Sequence, residues 1–204
     1  MELREALTQI TEIRSQMART EVFRGYRAAP VAFSGLLAFA AAGAQAAWIT
    51  DPVRQWDQYL QLWSGAALLS ALASGAGMTV GWRRRASAWR REITWLAVGQ
   101  FAPCLIAGGV VTAVLTLAVP EGIRLLPGLW QVLFSLGIFA SCRLLPRATF
   151  GVGLFYLAAG AVTLAAAHGE AALAPWTMGL PFGLGQLLAA AVLYWTLERG
   201  DVEP

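Results

Sequence analysis

Apolar runs separated by short polar stretches fill most of this chain. Residues 31–49, 60–81, 93–119, 127–142, 149–167 and 176–197 each read as an apolar helix, and several reach the roughly 20 residues needed to cross a bilayer. The pattern predicts an all-α integral membrane domain over residues 29–198, built as a bundle of six transmembrane helices. The runs 127–142 and 149–167 are among the shortest, so a re-entrant pair formed by them is the main competing topology.

Ahead of the first run the period changes. Leu3, Leu7, Ile10, Ile13 and Met17 recur at spacings of three and four, which places them on one stripe of an amphipathic helix over residues 2–24. Gly25 and Pro30 mark a hinge between this segment, residues 1–28, and the membrane domain. Residues 199–204 form a short polar tail. About 25 polar, helix-prone residues precede the first apolar run. A cleavable signal peptide has a brief basic start followed at once by its apolar core, so the first span is expected to act as an uncleaved anchor.

Charge orients the runs. All fifteen basic residues are Arg. Five of them, Arg83, Arg84, Arg85, Arg90 and Arg91, crowd the connection between the second and third runs. Only Arg54 and Arg124 fall in the alternate set of connections. Short loops rich in Arg stay on the cytoplasmic side, so both termini are expected in the cytoplasm, with the domain in a bacterial inner membrane. The bacterial source is a compositional inference from high Arg, Ala and Gly usage. Composition agrees with the class: 57% of residues are hydrophobic and 13% charged, against about 25% charged in a soluble domain. The basic loop is bounded by apolar runs and lacks the polar surroundings of a nucleic-acid surface. No nucleic-acid partner is expected.

Trp82 and Trp89 flank the five clustered Arg, a composition suited to anionic headgroups or a phosphorylated ligand, although a topology anchor with interfacial aromatics is the simpler account. Trp48, Trp56, Trp63, Trp130 and Trp176 are read as one interfacial belt and Trp82, Trp89, Trp95 and Trp195 as the other. Cys104 falls near mid-membrane and Cys142 at a helix end; that mismatch in depth argues against a disulfide between them.

Within the runs the polar residues stand out. Gln45, Gln100, Gln131 and Gln186 lie inside predicted spans, and a buried amide is costly unless hydrogen-bonded. Pro103 and Pro181 each interrupt a span and free a backbone carbonyl that a side chain or water must satisfy. These six residues, with Ser34, Thr112 and Ser135, either line a solute path or bond neighbouring helices. Gln100 and Pro103 in the third run, against Pro181 and Gln186 in the sixth, also suggest a 3+3 inverted repeat, as in many transporters. No acidic or basic residue sits mid-span, where a proton- or ion-coupled transporter usually keeps one. The lone His168 has no companions for a metal site, and no catalytic motif occurs. Neither a cofactor nor an enzymatic activity is expected.

Two functions follow. One is a small passive channel or permease, or the membrane subunit of a transport system. The other is a membrane-anchored regulatory or scaffold subunit whose residues 2–24 bind a cytosolic protein or another copy of the chain. The acidic and basic residues of that segment balance, which favours a protein partner over anionic lipid. Abundant small residues in the spans suit close helix packing and a homo-oligomer.

Overall fold

The computed structural model describes residues 28–84, 88–142, 144–167 and 170–199. The stripe of Leu3, Leu7, Ile10, Ile13 and Met17 lies outside these residues, as do Arg85 and His168. The same holds for the side chains of Arg83, Arg84, Arg90 and Arg91, whose backbone closes one helix and opens the next.

The described residues form six α-helices and no strand: α1 Ala28–Trp48, α2 Trp56–Arg84, α3 Ala88–Ala118, α4 Leu126–Ser141, α5 Thr149–Ala165 and α6 Pro175–Leu193. Short 3₁₀ turns, Pro120–Leu125 and Glu170–Leu173, lead into α4 and α6, and a π-helical turn, Tyr194–Glu198, follows α6. Four segments are long and apolar enough to cross a membrane: Ala28–Trp48, Val98–Ala118, Pro120–Ser141 and Ala171–Leu197. They are compatible with a multi-pass membrane protein. The other two helices, expected as spans at 60–81 and 149–167, are not among these four. α2 opens with Asp57, Gln58 and Gln61, which dilute its apolar character. α5 has 17 residues, a rise of about 25 Å against a hydrocarbon core of about 30 Å.

Apart from α2 and α3, consecutive helices pack side by side, and α1 lies against α6. The result is an arc in the order α2, α1, α6, α5, α4, α3. Among the described residues, α2 and α3 touch less than any other pair of consecutive helices. The most intimate contacts are made through small residues. A Cβ on Gly128 of α4 would stand 2.9 Å from the Gly160 carbonyl of α5, and one on Gly160 would stand 3.0 Å from the Gly128 carbonyl. Such approach lets backbones meet where lipid offers no hydrophobic drive between helices.

Pro30 sits in the first turn of α1, where a missing N–H costs no helix bond, and Gly25, the other residue of the expected hinge, lies outside the described residues. Two expectations change. Pro103 and Pro181 do not interrupt their helices, since α3 and α6 run continuously through them. Trp63 is not interfacial. It is buried in a core cluster with Tyr59, Ile123, Leu126, Leu173 and Met178. Trp48 and Trp176, by contrast, are exposed, as an interfacial belt requires. Cys104 and Cys142 are both free.

Candidate functional site

The polar residues of the bundle converge on the start of α6. Pro181 has no N–H, so the carbonyl of Thr177, four residues earlier, loses its helix donor. Gln131 of α4 replaces it: its Nε2 donates to Thr177 O at 2.7 Å. The other end of the same amide accepts from Thr163 Oγ1 of α5 at 3.3 Å. One turn before Thr177, the Leu173 carbonyl precedes the helix and also lacks a helix donor. Gln45 of α1 donates to it from Nε2 at 2.6 Å, and its Oε1 accepts from Trp63 Nε1 of α2 at 2.8 Å. Both amides are fully buried, at 0% exposure for Gln131 and 1% for Gln45. Each therefore joins three segments, and α6 is clamped by α1 and α4 together.

Further along α6, Gln186 Nε2 donates to Tyr156 Oη of α5 at 3.2 Å. Tyr156 Oη lies 3.5 Å from the Phe182 carbonyl, the long end of a hydrogen bond. Tyr156 is fully buried and is the hub of an aromatic cluster. Phe134 of α4 and Phe182 of α6 stand 4.9 and 5.4 Å from its ring centroid. Phe101 of α3 extends the cluster edge-on to Phe134 at 5.1 Å. These spacings fall in the favourable range for tilted and T-shaped ring pairs. Two glycines make the seats: a Cβ on Gly137 would meet the Phe101 ring at 2.6 Å, and one on Gly185 would collide with the Tyr156 ring.

Among the six residues singled out as a solute path, then, Gln45, Gln131 and Pro181 meet at the start of α6, and Gln186 joins α6 to α5. Gln100 and Pro103 sit on α3, which packs chiefly on α4. Gln100 Oε1 is buried with no hydrogen-bond partner, as are Tyr59 Oη and Thr149 Oγ1. Ser34, Thr112 and Ser135 donate to carbonyls of their own helices, those of Pro30, Gly108 and Val132. Thr112 Oγ1 also accepts from Trp130 Nε1 across α3 and α4 at 2.9 Å. Sequence reasoning identified the glutamines but missed Tyr156 and Trp63 as their partners. A Tyr in the middle of an apolar run was the available signal, because its hydroxyl must find a partner when buried. No group of three metal-ligating side chains occurs among the described residues.

The fold and these contacts define the class, an all-helical bundle with four membrane-length apolar helices bound together by buried amides and aromatic rings. No protein-family model, curated protein or solved structure matches the chain.

Proposed function

We propose that the chain is a multi-pass membrane scaffold or regulatory subunit. In this reading the bundle is a rigid anchor with all six helices in the bilayer, set in a bacterial inner membrane with both termini in the cytoplasm. It presents residues 2–24 to a cytosolic protein or to another copy of the chain. One observation carries it: the buried amides of Gln45 and Gln131 are satisfied at both ends by other helices, and rings fill the space shared by α3, α4, α5 and α6. A conduit needs polar groups that a solute can reach, and those amides are buried and engaged at both ends. Photocrosslinkers placed at Leu7, Ile10 and Met17 in native membranes test it. A discrete protein adduct, lost on Ile10→Glu, is expected. Lipid adducts alone would overturn the reading.

The orphaned Gln100 Oε1 favours a second reading, a passive permease or the membrane subunit of a transport system, with Gln100 and Pro103 of α3 and Gln186 of α6 along its path. This version draws on the 3+3 inverted repeat suggested by the paired Gln and Pro residues. Proteoliposome uptake of glycerol and urea, compared between the native chain and Gln100→Leu, separates the two. Uptake above empty vesicles that falls in the variant favours transport. Neither reading assigns an enzymatic activity.

A further inference from the structure

The connections at the end of the bundle opposite the arginine-rich turn enclose a cleft of about 380 Å³. Val53 reaches it from the turn before α2, Trp56 from the first residue of α2, Glu121, Ile123 and Arg124 from the 3₁₀ turn before α4, and Leu173 from the turn before α6. Its volume lies at the small end of the range for small-molecule sites, about 300–1,000 Å³.

The floor and the rim differ in kind. Ile123 and Leu173 are buried and belong to the core cluster that holds Tyr59 and Trp63. The backbone of Leu173 is pinned by Gln45, so the floor is apolar and fixed in advance, which lowers the ordering cost of binding. The rim carries one charge of each sign. Glu121 and Arg124 are three residues apart on a 3₁₀ turn, where such positions eclipse. They form no ion pair with each other or with any other described residue, whereas Arg54 nearby stands 4.0 Å from Asp51. Two opposite charges on the rim of one cleft, neither paired with another described residue, are complementary to a ligand that carries both.

We propose that this cleft binds a small zwitterion. Its phosphate or carboxylate lies on Arg124, its ammonium group on Glu121 beside the Trp56 ring, and any apolar part on Ile123 and Leu173. The ligand is either a free molecule or the headgroup of a membrane lipid, because exposed Trp side chains close α1 (Trp48) and open α6 (Trp176) at the same end of the bundle. This site is independent of any partner at residues 2–24.

Thermal unfolding of the full chain in detergent tests it, with O-phosphoethanolamine, leucine, inorganic phosphate and ethanolamine as probes. A ligand that binds only the folded state raises Tm with its concentration. Phosphoethanolamine or leucine is expected to give a saturable rise, with phosphate and ethanolamine at least tenfold weaker. Arg124→Gln and Glu121→Gln should each weaken the zwitterion at least tenfold while leaving the unliganded Tm unchanged. Glu121→Gln should also narrow the gap between phosphoethanolamine and phosphate, and Arg124→Lys should retain part of the response. A lipid source predicts instead that nanodiscs of phosphatidylethanolamine stabilise the native chain more than nanodiscs of phosphatidylglycerol, a difference that both charge-removing variants abolish. The proposal is overturned if no zwitterion stabilises the chain in either setting, or if both variants respond as the native chain does.

Discussion

Pro181 and Gln131 show how two residues on different helices make one structural unit. Proline removes a donor, and a glutamine on α4 supplies it to the stranded Thr177 carbonyl. Gln131→Leu should therefore lower stability by roughly 1–2 kcal/mol, measured by denaturation in detergent, because it leaves a buried carbonyl unsatisfied. The loss should shrink by half or more in a Pro181→Ala background, where the backbone N–H returns and the helix satisfies Thr177 itself. Equal losses in both backgrounds would mean that the two residues are not coupled. Sequence alone established that each mid-span amide needs a partner. It did not establish that Gln131, rather than Gln186 on the same helix as Pro181, serves the freed carbonyl. Separation along one chain says nothing about which face of a distant helix lies alongside.

At the scale of helices, small residues set how closely the elements approach. Gly128 and Gly160 oppose backbone atoms across α4 and α5, and backbone cannot swing aside as a side chain can. Gly128→Ala should cost about 1–3 kcal/mol through overpacking. Gly43 and Gly65 have open space where a Cβ would go. Alanine at either should be neutral or stabilising by up to about 1 kcal/mol, since it is the better helix former. If Gly128→Ala proves as mild as Gly43→Ala, close α4–α5 packing is not a source of stability. The helices themselves were legible as apolar runs: the expected 127–142 is observed as Leu126–Ser141, and 149–167 as Thr149–Ala165. The effect of the prolines was less so. A proline in a soluble helix usually kinks or ends it, yet α3 and α6 run on through Pro103 and Pro181, and at Pro181 the missing donor is supplied by Gln131 of α4.

For the molecule as a whole, the buried amides and the ring cluster argue for a filled core where α1, α4, α5 and α6 meet. Reconstituted vesicles should take up glycerol and urea no faster than empty ones, and stopped-flow light scattering reads this directly. Uptake that depends on Gln100 would move the assignment to transport. The arc also leaves α2 and α3 hardly touching. α3 displays Leu105, Ile106, Val110 and Leu117 on its surface, a face suited to lipid tails.

Sequence by itself determined that the molecule is built of apolar helices and, to within a few residues, where they lie, because the length of an apolar run and the period of its polar residues are local properties. It also marked which residues needed explanation, since an amide or a proline within such a run carries a free-energy cost wherever the chain folds. Only the tertiary structure decided how those costs are met: Gln45 and Gln131 on the two carbonyls at the start of α6, Trp63 inside the core, and Glu121 and Arg124 brought to one cleft with Trp56 and Leu173. The physical reason is that these spans are apolar on nearly every side. A soluble helix shows its inward face by its polar one. Here that cue is missing, so the rotation of each helix, and with it every partner, is fixed by packing.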